Sequence, residues 1–456
     1  MRKILLLCII FLFLFLRFYK ITTSLFFIND MGRDLLVLQE WQEKGKPPLL
    51  GPQTSALPIN QSPIYFYSLY PFFLLTNGSP YTALFANAFL YLSFFLISYY
   101  LFSKKFGFLT LFSIFFLISI HPQLIIQNRF IWNPSFVTPF IVIGLLAFLS
   151  KKNYLVGLAL AIATSLSYSV APLTIAVLLA YLIYAKKDIF KLLISFGIGL
   201  FFLNLPIFIF EIKYKFQLTK ALFSRGIESQ VIQTYLDKTK NLSQLLFSAD
   251  HQTISLLLFL FFISAASYSL FKSKNRYQRI ISFIFLVTLL ITIFSPIAIQ
   301  SHYIFGVTSL IFIYISLLPK KLLLPITTIL IIIFFQKNLL DTYFKPAPRS
   351  FNQMYNCFQK VCRDIKSPVF ISLGSSYLPF HYGPEQHYIA KKAGCNVKKL
   401  ENGTNQTNTM LVVADGGNYQ QGKSTYFELS QFGPSKLINS YICQSNFKVY
   451  EIIKSD

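Results

Sequence analysis

Long apolar runs, separated by short polar turns, follow one another through the first 336 residues of the chain. A helix that crosses a bilayer needs about 20 predominantly apolar residues. In lipid it must also satisfy every backbone N–H and C=O internally, which leaves a helix as the form such a run can take. Composition supports the same reading. Charged residues make up 13% of the chain, about half the share of a soluble domain. The sequence therefore reads as a polytopic α-helical membrane protein.

The formal charge of +24 does not point to nucleic acid, because the bases are dispersed as short groups between apolar runs. Arg2-Lys3, Lys104-Lys105, Lys151-Lys152, Lys186-Lys187 with Lys191, Lys272 to Arg279, and Lys320-Lys321 recur at every second turn. Positive loops of this kind stay on the cytoplasmic side, whereas a nucleic-acid binder gathers its bases on one soluble face. With Arg2-Lys3 inside, eleven transmembrane helices are expected near 4–19, 80–103, 107–125, 134–150, 154–168, 170–185, 189–210, 253–271, 280–299, 303–318 and 322–336. Segment 63–77 is short and bounded by proline, so it reads as re-entrant or interfacial. The first run resembles a signal peptide without a small-residue cleavage site and reads as an anchor. Expected localisation is the plasma (inner) membrane, multi-pass, with the N-terminus cytoplasmic.

Three segments are expected outside: loop 20–62, loop 211–252 and the tail 337–456. Residues 1–336 then form the transmembrane domain. The tail changes to Asn, Gln, Gly, Ser and Lys, with strand-length apolar runs at 368–373, 409–415 and 447–453. Helical stretches fit near 350–364, 384–393 and 425–431, which describes a small extracytoplasmic α/β domain. Four of the five cysteines, Cys357, Cys362, Cys395 and Cys443, lie there. They read equally as two disulfides, with three connectivities open, or as free buried thiols. His381 and His387 read as surface residues.

Acidic residues are scarce in the transmembrane part, and four of them fall between Asp30 and Glu43. No expected span carries a charge in its middle, which separates the chain from transporters with ionisable groups at the membrane midplane. Asp30 reads first as a helix N-cap. Asp30 and Asp34 share a helix face at i, i+4, an unfavourable pair unless something offsets the repulsion. Arg33, a divalent metal or a shared proton are all open as that partner.

The stretches D-M-G-R-D-L (30–35), G-K-P-P-L-L-G-P-Q-T-S (45–55), S-P-I-Y-F-Y (62–67) and N-R-F-I-W-N-P (128–134) occur in this order. Together they resemble the GT-C superfamily, in its bacterial protein O-mannosyltransferase and aminoarabinose-transferase group. That resemblance implies a GT-C-like membrane fold and transfer of a sugar from a polyprenyl-phosphate carrier to a lipid, glycan or protein acceptor at the outer face. It implies Asp30 as general base, with Asp34 as a second candidate. Many relatives carry two adjacent acids where this chain has Asn29-Asp30. Candidate substrate and phosphate contacts are Arg33, Arg129, Lys215, Lys220 and Arg225, with the pair His302-Tyr303. Membrane lipids are the other expected partners. Two alternatives belong to other classes: a transporter or flippase, and a polymerase or ligase of lipid-linked glycans.

Overall fold

The computed structural model describes residues 2–54, 59–225, 233–248, 251–336, 344–376, 383–400, 403, 405–420, 426–444 and 446–455. It contains two compact units. One comprises Met1–Tyr19, Pro47–Leu75 and Tyr81–Phe344; the other comprises Lys20–Lys46, Thr76–Pro80 and Lys345–Asp456.

The first unit is helical, and helices overlap the expected runs, those at 80–103 and 107–125 falling together in Thr82–Ile120. Among the described residues, five helices are long and apolar enough to cross a membrane. A sixth is added if the pair Pro122–Arg129 and Asn133–Leu149, bent by 119°, is one span. Asn153–Leu166, Tyr168–Tyr184 and Ser301–Ser316 are apolar but shorter. The run Thr82–Ile120 is interrupted at Gly107, whose φ of 75° and ψ of 168° suit glycine. That break follows Lys104-Lys105, where the basic turn was expected. Segment 63–77 forms the helix Ile64–Leu75, with Pro71 inside it.

Small residues set the helix spacing. A methyl group on Gly157 would come within 2.0 Å of Ser195 Oγ and 2.4 Å of the Leu192 carbonyl. One on Gly199 would meet Ala161 Cβ at 2.7 Å. Helices Asn153–Leu166 and Ile189–Lys213 therefore touch along their backbones. Such packing supplies association where lipid removes the hydrophobic driving force. Aromatic rings fill the remaining space: Phe13, fully buried, lies 5.4 Å from Tyr91 and 5.5 Å from Phe95.

The second unit is built on a four-stranded sheet of β1 (Phe370–Ser375), β2 (Thr409–Asp415), β3 (Ser435–Gln444) and β4 (Phe447–Lys454). Spatial order is β1-β2-β4-β3. β1 and β2 run parallel, while β4 is antiparallel to both β2 and β3. β2 is buried along its whole length, which accounts for its unbroken apolar run. Phe370, Met410, Val412, Phe432 and Ile452 form the core beneath the sheet. Cys357–Cys443 joins helix Phe351–Asp364 to β3, and Cys362–Cys395 joins that helix to the segment after helix Pro384–Lys392.

Candidate functional site

Helix Asn29–Lys44 carries the acidic cluster of the first loop, and it belongs to the second unit. Its N-cap is Ile28, and no side chain caps it. The expected capping role of Asp30 is thus corrected: Asp30 occupies the first turn, where a negative charge favours the helix dipole. Arg33 Nη1 lies 2.9 Å from Asp30 Oδ1, and Arg33 Nη2 lies 2.8 Å from Asp34 Oδ1. One guanidinium offsets the repulsion between the two acids. The carboxylates differ in environment, since the Asp30 side chain is 44% exposed and that of Asp34 is fully buried. Among the described residues no group of three or more His, Cys, Asp or Glu side chains converges as a metal ligand set would.

The other two acids of the cluster are held by lysines of the same unit. Glu40 pairs with Lys44, and Lys399 lies 3.6 Å away. The hydrogen bond from Lys44 holds the Glu40 carboxyl below its ordinary range. Glu43 meets Lys391 at 3.2 Å. Only Asp30 and Asp34 are linked through an arginine of their own helix.

The N-R-F-I-W-N-P stretch lies in the first unit and joins several of its segments. Asn128 Oδ1 accepts from Arg17 Nε at 3.3 Å, and Asn87 Nδ2 donates to the Asn128 carbonyl at 3.2 Å. Arg17 also donates to the carbonyls of Ile118 and Ser119, and its guanidinium lies over the Phe13 ring at 4.0 Å. Arg17 stands at the end of an apolar run, where the sequence carries no sign of its burial. Arg129, 4% exposed, donates to the Tyr19 carbonyl at 3.1 Å and rests on the Phe344 ring. Asn133 Nδ2 reaches the Leu166 carbonyl at 2.6 Å and Gln61 Oε1 at 2.8 Å. Within the S-P-I-Y-F-Y stretch, Ser62 Oγ donates to the Leu203 carbonyl at 2.5 Å.

His302 lies in the middle of the segment Ser301–Tyr303, with the Trp132 ring 5.2 Å away edge-on and the Tyr303 ring at 4.7 Å. His302 of the expected pair therefore meets the N-R-F-I-W-N-P stretch edge-on through Trp132. Lys215 and Lys220 are exposed, the former in the turn before helix Gln217–Arg225. Arg225 ends that helix, and its side chain lies outside the described residues. His381 is likewise outside them, while His387 is half-buried on helix Pro384–Lys392.

No protein-family model matches the chain, and no curated protein matches its sequence. Among solved structures it is similar to ArnT from Cupriavidus metallidurans bound to undecaprenyl phosphate, with a TM-score of 0.64 at 10% identity over 98% of this chain and 97% of that one. The apo form of the same protein gives a TM-score of 0.63 with the same identity and coverage. A weaker likeness, TM-score 0.48 at 13% identity over 90% of this chain and 67% of that one, is to the Archaeoglobus fulgidus oligosaccharyltransferase complex with Zn and sulfate. The chain shares the fold of that ArnT structure over nearly its whole length, a helical part followed by the small C-terminal sheet that the tail's strand-length runs led one to expect.

Proposed function

We propose that this chain is an integral-membrane glycosyltransferase that moves a sugar from a polyprenyl-phosphate carrier to an acceptor hydroxyl or amine at the outer face of the plasma membrane. Support comes from a fold shared over 98% of the chain with a protein crystallised on undecaprenyl phosphate. The observation that carries the chemistry is the asymmetry of the acidic pair. Arg33 bridges a buried Asp34 and a half-exposed Asp30, so only Asp30 offers a carboxylate to an incoming acceptor.

In this reading Asp30 removes the acceptor proton while the acceptor oxygen or nitrogen bonds to the anomeric carbon. The bond from that carbon to the phosphate oxygen breaks, and its electron pair leaves with the polyprenyl phosphate. General base assistance contributes about 10²–10⁴-fold to such a step. Fixed cations stabilise the departing phosphate. Arg129, Lys215, Lys220 and Arg225 are proposed for that role, Arg33 through its exposed part, and His302 and Tyr303 as further substrate contacts. Asp34 is proposed to orient Arg33. Eleven crossings, a cytoplasmic N-terminus and an outer tail 337–456 complete the proposal. Transmembrane residues 1–336 would supply the donor cations and, through the first outer loop, the base.

The test is transfer in vitro from a panel of polyprenyl-phosphate sugars, wild type against Asp30→Asn. Turnover with one donor that falls about 10²-fold or more in Asp30→Asn supports the reading. Absence of transfer from every donor, or a fully active Asp30→Asn protein, would overturn it.

A further inference from the structure

We propose that the tail fixes the working position of the acidic helix Asn29–Lys44 through a buried clamp, so that Arg349 and Gly32 are positioning residues for Asp30. This rests on the reading of Asp30 as the base. Three observations within the second unit carry it.

The helix start has no side-chain cap. Ile28 is its N-cap, and only its backbone carbonyl serves the first turn, accepting from the N–H groups of Met31 and Gly32. A helix left uncapped by its own sequence must be fixed by what packs around it.

The tail supplies that fixation with a buried charge. Arg349 is 2% exposed, and its Nη1 donates to the carbonyl of Phe27, just before the helix, at 2.7 Å. The rest of the same guanidinium is committed to the tail. Nε donates to Asp415 Oδ1 at 2.7 Å, and Nη2 lies 2.5 Å from Asp415 Oδ2 and 3.4 Å from Glu385 Oε1. A planar fork tied to two carboxylates cannot swing, so its third arm holds the Phe27 carbonyl in one place. The Phe27 ring is itself fully buried, 5.2 Å from the ring of Phe351.

Gly32 then sets the distance. A methyl group there would come within 2.2 Å of Glu385 Cα and 2.3 Å of Glu385 N. Both are backbone atoms at the start of helix Pro384–Lys392 and cannot move aside as a flexible side-chain end would. Gly32 lies two residues after Asp30, one residue from Arg33. Alanine is otherwise the better helix residue, so glycine at this position reflects the approach of the tail and not the needs of the helix. A shift of about 1 Å in a catalytic group can cost about 10²-fold in rate.

The experiment uses the full chain in detergent. It compares wild type, Gly32→Ala, Arg349→Lys, Asp30→Asn and the double variant Gly32→Ala with Asp30→Asn. The readouts are kcat, acceptor KM, polyprenyl-phosphate binding and thermal unfolding. Expected for Gly32→Ala and Arg349→Lys are cooperative unfolding, unchanged polyprenyl-phosphate binding and kcat lower by about tenfold or more. In the Asp30→Asn background Gly32→Ala should add nothing, because the group it misplaces is gone. A structural role alone would lower the rate equally in both backgrounds. If Asp30→Asn is inactive while both clamp variants run at the wild-type rate, the clamp fails and the base reading stands. If Asp30→Asn is fully active, the base reading itself has failed. Loss of the fold in both clamp variants would assign these contacts to folding and overturn the positioning claim.

Discussion

Arg33 Nη1 stands 2.9 Å from Asp30 Oδ1, within a single turn of one helix. The same guanidinium holds Asp34, which is fully buried, so the two acids are electrically coupled but chemically unequal. Removing charge from Asp34 leaves the arginine facing a buried neutral amide. Losing a hydrogen bond of a charged group costs roughly 1.5–3 kcal/mol. Asp34→Asn is therefore expected to lower the melting temperature and to retain more turnover than Asp30→Asn. Asp30→Asn forfeits a first-turn dipole contribution of about 0.3–1 kcal/mol and a half-exposed ion pair with Arg33 worth about 0–1 kcal/mol. Thermal unfolding and transfer rate measured on both variants check this; equal losses of turnover with unchanged melting would contradict it.

A second expectation concerns Asn128, which accepts from Arg17 in a buried setting. Asn128→Ala removes an acceptor from a guanidinium that burial has already separated from water. The cost should again be about 1.5–3 kcal/mol. Because the contact joins the first helix to the N-R-F-I-W-N-P stretch, the loss should appear as earlier thermal unfolding in detergent. An unchanged melting temperature would remove the structural account of this motif residue.

The helical part was legible because apolar length and basic turns act locally, and helices overlap the expected runs. Strands β1, β2 and β4 were legible for the same reason. β3 was not: its sequence, Ser435–Gln444, is mostly exposed and alternates Lys, Asn and Ser with apolar residues. The possibility that Arg33 offsets the Asp30–Asp34 repulsion could be read from spacing. The Arg349 cluster could not, since Phe27 and Arg349 are 322 residues apart. Nor could the grouping of Lys20–Lys46 with the tail in one unit, which depends on tertiary contacts alone. The cap lies two residues before Asp30, at Ile28, because Asn29 already lies inside the helix.

Thiol chemistry follows from the two disulfides, with Cys8 free and exposed. Denatured without reductant, the protein should take up alkylating reagent at Cys8 alone, read as a single mass increment. Reduction should destabilise the tail, each bridge contributing about 2–4 kcal/mol. Disulfides persist in oxidising compartments, so their presence in the isolated protein would agree with an outer tail. Alkylation of all five cysteines without reductant would contradict both points.

The orientation has its own check. Basic turns at Lys104-Lys105 and Lys151-Lys152 are expected to face the cytoplasm. A reporter active only outside should therefore work when fused to the tail and fail when inserted after Lys152. The reverse pattern would place the acidic helix on the wrong side for an outer-face transferase.

Acid sensitivity of the second unit is expected to begin at His387. Burial lowers its pKa from 6.5 to about 4, with Lys399 and Lys391 acting in the same direction. The backbone contact with Ile371 and the charge of Glu385 act the other way and are outweighed. A histidine kept neutral in the fold is not protonated there until the pH nears 4, whereas the unfolded chain binds its proton near 6.5. Stability is therefore complete above about pH 6.5 and is lost progressively as the pH falls toward 4. Glu40, held down by Lys44, contributes only in a lower window, below its ordinary value of 4.5. The slope between pH 6.5 and 5 thus isolates the histidine from this carboxylate. Melting temperatures of the full-length protein at pH 8, 6 and 5 should fall in that order, and His387→Gln should flatten the slope. A slope that His387→Gln leaves untouched would assign the acid sensitivity to another group.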